Sequence, residues 1–118
     1  MKARGVDDGH IIHIGSLAGH VYPNMHEIQM YAATKHAVRV LTEGLRRELV
    51  SSGSKIRVSA VSPGVVRTEF ASQLPSRGGA AWWRQPHLFA EDVADAALYA
   101  LRCPPHVQIH DILMWPIS

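Results

Sequence analysis

The sequence has 118 residues, of which 47% are hydrophobic and 19% charged. These proportions are typical of one small globular domain and exclude a disordered chain. The net charge of +2 is too small to favour nucleic acid binding, and no run approaches the ~20 apolar residues that span a bilayer. Cys103 is the only cysteine and no secretory signal begins the sequence, so we expect a cytoplasmic protein.

Apolar runs rich in Ile and Val predict buried strands over 11–14, 56–61 and 107–114, because strands covered on both faces have nearly continuous apolar sequences. Amphipathic patterns predict helices over 28–51 and 90–101. The order of strand, helix, strand, helix, strand predicts an α/β fold with a parallel sheet and right-handed crossovers. The outer edge of the first strand has no predicted neighbour.

The first helix carries a stripe of apolar residues at i, i+4 spacing, which predicts its buried face: Ala37, Leu41, Leu45 and Leu49. Gly53 is the predicted C-cap of this helix. The segment 71–88 interrupts the regular pattern with Pro, Gly-Gly and Trp82-Trp83. It is either a ligand-binding loop at the carboxyl end of a strand or a plain connection.

The stretch YAATK places Tyr31 and Lys35 one turn apart on the first helix, where they face the same side. A neighbouring ammonium favours the phenolate form of a tyrosine, which suits a general acid/base. The structural alternative is a surface tyrosine that stacks on a lysine stem.

Polar or glycine-containing turns follow the first two strands. Ser16 comes directly after the first strand, where a hydroxyl can donate to a substrate oxygen, although such a serine is commonly a capping residue. In the segment SPGVVRTEF, Pro63 ends the second strand, Gly64 lets a flat ligand approach the backbone, and Thr68 adds a hydroxyl. A Pro-Gly pair alone is more often a plain turn.

Taken together, Ser16, YAATK and SPGVVRTEF resemble the active-site pattern of the short-chain dehydrogenases/reductases, over nearly the whole chain. The resemblance implies a Rossmann-like fragment, with 1–118 forming the carboxyl-terminal part of a single domain. It further implies an oxidoreductase that interconverts carbonyl and hydroxyl groups of small molecules such as ketosteroids. The implied cofactor is NADP or NAD, with NADP favoured.

The same resemblance implies roles for individual residues. Ser16 would polarise the substrate, Tyr31 would be the acid/base, and Lys35 would support Tyr31 and hold the nicotinamide ribose. The residues implied to line the cofactor are Tyr31, Lys35, Pro63, Gly64, Val66 and Thr68. Members of the family pair through the helix that corresponds to the one carrying Tyr31 and Lys35, so a homo-oligomer is expected.

The sequence also departs from the family pattern. The glycine-rich turn that binds the dinucleotide phosphates is missing, and the nearest spacing, in GSLAGHV, has Val21 where a third glycine would stand. The residue that selects NAD or NADP and an active-site Asn are missing as well. An alternative is therefore a truncated, inactive product that acts only by pairing with full-length subunits.

The eight histidines do not predict a metal site. His10 and His13 are three residues apart on a strand, so their side chains point to opposite faces of the sheet. No Cys pair accompanies them, because Cys103 is the only cysteine.

Overall fold

The computed structural model describes residues 1–23, 27–72 and 84–117. Its strands are β1 (His10–Ile14), β2 (Arg57–Pro63), β3 (Val66–Arg67), β4 (Leu88–Phe89) and β5 (Asp111–Met114). Its α-helices are α1 (Gln29–Ser51), α2 (Glu69–Ser72) and α3 (Ala90–Arg102), and short 3-10 helices cover Lys2–Arg4 and Leu17–Gly19. Trp82 and Trp83 lie outside the described residues. No helix in the described ranges is long and apolar enough to cross a membrane.

Within the described residues, β1, β2 and β5 form a parallel sheet in the order β1-β2-β5. His10 pairs with Arg57, and Ala60 pairs with Asp111. The predicted parallel α/β arrangement is therefore confirmed. A second pair, β3 with β4, was not predicted, because each of these strands has only two residues.

The last strand begins at Asp111, four residues later than predicted. The side-chain amide of Gln108 explains the difference. It accepts a hydrogen bond from Val58 N over 3.3 Å and donates one to Val58 O over 2.7 Å. Val58 N and Val58 O are the groups that would bond to the backbone of a longer β5. The side chain of Gln108 therefore replaces the backbone hydrogen bonds between β2 and β5 at this point.

The two long helices cover opposite faces of the sheet. Val58 of β2 packs against Leu49 of α1. Because side chains alternate along a strand, Arg57 points to the other face, where its guanidinium donates to Cys103 O at the end of α3 over 2.9 Å. Every residue of β2 after Arg57 is buried, as expected for a strand covered on both sides.

This placement corrects one expectation. The strand order advances in one direction across the sheet, so two right-handed crossovers would put α1 and α3 on the same face. They lie on opposite faces, and the prediction is therefore wrong for one of the two crossovers.

The buried face of α1 also differs from the predicted stripe. Leu49 is buried and Leu45 packs against the core, whereas Leu41 is 68% exposed and Ala37 is exposed. Each i, i+4 step advances about 40° around a helix, so the stripe drifts by about 120° over its length. The residues of α1 that are buried are Ala32, Thr42 and Leu49. The C-cap of α1 is Ser52, and Gly53 follows it with a φ of +69°, so the predicted C-cap is displaced by one residue.

Candidate active site

The turn after β1 is held by hydrogen bonds. Gly15 N donates to Val61 O of β2 over 2.8 Å, so the ladder continues one residue past the strand. Ser16 then caps the 3-10 helix Leu17–Gly19, with its Oγ accepting from Ala18 N over 3.1 Å. Because Oγ acts as the acceptor in that bond, its own O–H can still donate. Ser16 thus lies at the carboxyl end of β1 with a hydroxyl available to a ligand.

Tyr31 and Lys35 lie near the start of α1. The Nζ of Lys35 is 5.7 Å from the centroid of the Tyr31 ring, within the range of cation–π attraction. The same Nζ donates to Ile14 O over 3.2 Å. The ammonium is therefore held between the tyrosine and the end of β1, two residues before Ser16. The three predicted catalytic residues therefore lie together at the carboxyl end of β1.

A close backbone contact sets the distance between the 3-10 helix Leu17–Gly19 and α1. A Cβ at Gly19 would lie 2.6 Å from Lys35 O, which belongs to the backbone and cannot move aside as a side chain can. Glycine allows the 3-10 helix to rest directly on α1. Gly19 therefore fixes the distance between the Ser16 turn and the helix that carries Tyr31 and Lys35.

The turn after β2 is attached to the end of β5. Gly64 N donates to Met114 O over 2.8 Å, and a Cβ at Gly64 would lie 3.3 Å from Met114 O and from Pro116 Cδ. Pro63 is the buried last residue of β2. Since Gly15 bonds to Val61 two residues earlier, Pro63 and Gly64 lie beside the Ser16 turn.

The other two predicted cofactor residues lie farther along the chain. Val66 pairs with Leu88 in the β3–β4 ladder, and Thr68 is exposed directly before α2. Phe70 of α2 connects this segment to the site, because its ring centroid is 6.1 Å from that of Tyr31 with the planes inclined by 35°. Phe70 is 57% exposed, so it presents an apolar surface beside Tyr31.

A hydrogen-bond network around His20 lies beside the same carboxyl end of the sheet. The Nε2 of His20 is 2.9 Å from Asp111 Oδ2 and 3.2 Å from Ser62 Oγ. Ser62 is buried and precedes Pro63, and Asp111 begins β5. His20 directly follows the 3-10 helix that Ser16 caps. The network therefore joins the Ser16 turn to β2 and to β5.

Sequence reasoning did not find this network. His20 and Asp111 are 91 residues apart, so no local spacing connects them. The available signal was a histidine directly after the predicted catalytic turn and an acidic residue inside a predicted apolar strand. Phe70 ends the segment SPGVVRTEF, and no local spacing connects it to Tyr31; only the fold brings the two rings together.

The histidines of β1 make separate hydrogen bonds. Ser59 Oγ donates to Ile109 O, so it accepts from His10 Nε2, 2.7 Å away. Thr42 Oγ1 donates to Val38 O and likewise accepts from His13 Nδ1. Within the described part of the chain, no group of three or more His, Cys, Asp or Glu residues could hold a metal ion.

Burial and, to a smaller extent, the nearby Arg57 lower the pKa of His10. Its Nδ1 is buried without a hydrogen-bond partner among the described residues. Protonation would place a charged, unpartnered N–H in this position, which is unfavourable.

Comparison with known proteins agrees with this fold. The sequence model of the short chain dehydrogenase family matches residues 1–78, which include Ser16, Tyr31, Lys35 and the turn after β2. The chain therefore belongs to the short-chain dehydrogenase/reductase family.

Relatives of this chain include Dehydrogenase/reductase SDR family member 11 of cattle (Bos taurus), 51% identical over 98% of this chain and 47% of the relative. The Farnesol dehydrogenase of Aedes aegypti is 44% identical over 100% of this chain and 46% of the relative. Among solved structures, the closed form of a serine dehydrogenase complexed with NADP+ is similar, with a TM-score of 0.78 and 33% identity. The match covers 90% of this chain and 43% of that one. The chain thus spans about half the length of the curated relatives it matches.

Proposed function

We propose that this chain supplies the catalytic half of an NAD(P)-dependent oxidoreductase that interconverts carbonyl and hydroxyl groups. The observation that carries the proposal is the position of the Lys35 ammonium, between the Tyr31 ring and Ile14 O. This position brings a cation to a tyrosine at the carboxyl end of β1, where the Ser16 hydroxyl also lies. These are the groups that proton transfer to a carbonyl oxygen requires.

Tyr31 is the acid/base in this proposal. Its hydroxyl gives a proton to the carbonyl oxygen during reduction and takes one from the alcohol during oxidation. The charge of Lys35 stabilises the phenolate. Ser16 donates a hydrogen bond to the same substrate oxygen and stabilises negative charge as it develops there.

The donor set suits the ribose of a nicotinamide dinucleotide. Among the described residues, Lys35 Nζ gives one N–H to Ile14 O, which leaves its other donors for ribose hydroxyls. Pro63 and Gly64 would lie along the nicotinamide, with Val66 and Thr68 toward the pyrophosphate. When bound, the nicotinamide supplies or accepts the hydride. NADP is preferred to NAD here, in line with the NADP+ complex of the similar serine dehydrogenase.

The substrate is proposed to be a largely apolar carbonyl compound or alcohol. Phe70 supports this class, because over half of its surface is accessible and its ring lies beside Tyr31. An apolar substrate removes that surface from water on binding. The name of the Aedes aegypti relative, a farnesol dehydrogenase, agrees with such a substrate, and ketosteroids belong to the same chemical class.

A homo-oligomer formed through α1 is also proposed. Met30, Val40 and Leu41 are each more than two-thirds exposed on this helix. The exposed small residues Ala37 and Gly44 lie near them and allow another helix to approach closely. A cytoplasmic location completes the proposal, since a lone cysteine suits a reducing compartment.

A second candidate function rests on the exposed apolar face of α1. In this alternative the chain has no catalysis of its own and acts by pairing with full-length subunits through that face. Titration of the isolated chain with NADPH separates the candidates, because saturable binding contradicts an inactive pairing product.

A chimera tests the catalytic proposal. The amino-terminal half of the cattle relative is joined to this chain, and the oxidation of NADPH or reduction of NADP+ is followed by absorbance. Farnesol and serine, which the names of two similar proteins supply, serve as apolar and polar probes. We expect NADP-dependent turnover with farnesol and little with serine. A folded chimera that binds NADPH but turns over neither farnesol nor a ketosteroid contradicts the proposal.

A further inference from the structure

His20 is placed to control the Ser16 turn from its far end. Ser16 is the N-cap and His20 the C-cap of the 3-10 helix Leu17–Gly19, so one rigid turn separates them. The N–H of His20 itself donates to Leu17 O over 2.8 Å, which keeps the turn closed. A displacement of His20 is therefore transmitted to Ser16.

The imidazole attaches this turn to two strands. An ionised Asp111 accepts only, so the Nε2 of His20 donates to Asp111 Oδ2 at 2.9 Å, with Ser62 Oγ at 3.2 Å sharing the same hydrogen. The side chains of His20 and Asp111 are 18% and 24% exposed, so water screens this contact only partly. Ser62 leads directly into Pro63 and Gly64.

Asp111 depends on this bond. Its Oδ1 is buried without a hydrogen-bond partner among the described residues, and His20 is the side chain that meets Oδ2. Loss of the imidazole would leave a largely buried carboxylate without a hydrogen-bond partner among the described residues, which is costly. The strand that begins at Asp111 and the Ser16 turn therefore hold each other in place.

The geometry points to His20 as a positioning residue for the reaction. Through Asp111 and Ser62, it holds the Ser16 hydroxyl in register with the Pro63-Gly64 turn, where substrate oxygen and nicotinamide meet. The inference rests on the proposed function, because Ser16 must contact the substrate for its position to affect turnover. A displacement of about 1 Å at such a group lowers turnover by about a hundredfold.

A double-mutant cycle in the chimera tests this role with four proteins: the parent, His20→Ala, Ser16→Ala and the double variant. We expect His20→Ala to lower kcat by about tenfold to a hundredfold with Ser16 present. In the Ser16→Ala background the same change should cost no more than about twofold, since there is no hydroxyl left to position. His106→Ala, at an exposed histidine remote in sequence, is the matched control and should leave kcat unchanged.

Each outcome has a distinct meaning. Equal losses in the two backgrounds would show that His20 acts on general stability and overturn the inference. If Ser16→Ala alone leaves kcat unchanged, the role of Ser16 in the proposed function fails, and the positioning role fails with it. Should His20→Ala not fold, Asp111→Leu breaks the same contact while filling its space with apolar atoms. Asp111→Leu should likewise lower kcat much less in the Ser16→Ala background than in the parent. Equal losses of kcat in the two backgrounds would again contradict the inference.

Discussion

Lys35 of α1 donates a hydrogen bond from its ammonium to the backbone carbonyl of Ile14, the last residue of β1, over 3.2 Å. The bond joins the helix of the YAATK stretch to the strand that leads into Ser16. The same ammonium is 5.7 Å from the centre of the Tyr31 ring. One cation therefore links the two elements from which the candidate active site is built.

Replacing Lys35 by methionine is expected to weaken cofactor binding and turnover together. The variant keeps the apolar stem but loses the charge beside Tyr31 and the donors proposed for the ribose. Loss of one charge-assisted hydrogen bond, ~1.5 kcal/mol or more, corresponds to about a tenfold weaker affinity for NADPH. Calorimetric titration of the chimera with NADPH measures this affinity. Lys55→Met, at an exposed lysine, is the control, and equal affinities in the two variants would refute the ribose contact.

Two glycine-to-alanine changes should have opposite effects on stability. Gly19→Ala places a methyl group 2.6 Å from Lys35 O and forces the 3-10 helix away from α1, at a cost of about 1–3 kcal/mol. Gly44→Ala, inside α1 with no atom within 4 Å of the new Cβ, should stabilise the monomer by about 0.5–1 kcal/mol when it is measured in a Leu41→Glu background that removes the proposed pairing. Urea unfolding followed by circular dichroism gives both values. A Gly19→Ala protein as stable as the parent would mean that the two helices do not touch.

His10 should make the protein less stable in acid. Burial lowers its pKa in the folded state below the ordinary value of 6.5, so the unfolded chain binds a proton first as the pH falls. Its contribution to the unfolding free energy is therefore complete above pH 6.5 and is lost progressively below it, down to the lowered pKa. His10→Gln retains a donor for Ser59 and should flatten this slope in urea unfolding experiments. An unchanged slope would assign the acid sensitivity to other groups.

The pairing proposed for α1 predicts that a substitution on its exposed face lowers the mass of the sedimenting particle. Leu41→Glu puts a charge in the middle of the exposed apolar face without touching the core, since Leu41 is 68% exposed. It should dissociate an oligomer that sedimentation velocity detects in the parent chimera. Glu48→Gln, at an exposed position on the same helix, should leave the oligomer intact. A parent that sediments as a monomer would contradict pairing through α1.

Local patterns predicted the elements well and their faces less well. The strands over His10–Ile14 and Arg57–Pro63 and the helix over Gln29–Ser51 follow from apolar runs and amphipathic spacing, which depend on neighbours in sequence. The face of α1 did not follow, because i, i+4 spacing drifts around the helix and the packing of Thr42 and Leu49 sets the rotation.

Contacts between distant residues could not be predicted. The start of β5 depends on the Gln108 amide bonding to Val58, 50 residues away. The link from His20 to Asp111 likewise appears only when the sheet has formed. In contrast, Tyr31 and Lys35 could be paired from sequence, because a single helical turn brings them to the same side.

The most direct test of the central claim, that Tyr31 is the acid/base of the proposed oxidoreductase, is the turnover of Tyr31→Phe in the chimera. The phenyl ring can still pack against Phe70, so fold and NADPH affinity should stay within about twofold of the parent. The proton donor is lost, and kcat should fall by ~10²–10⁴-fold. Tyr99→Phe, at an exposed tyrosine of α3, should keep full activity. A Tyr31→Phe protein whose kcat stays within a few-fold of the parent would contradict the account.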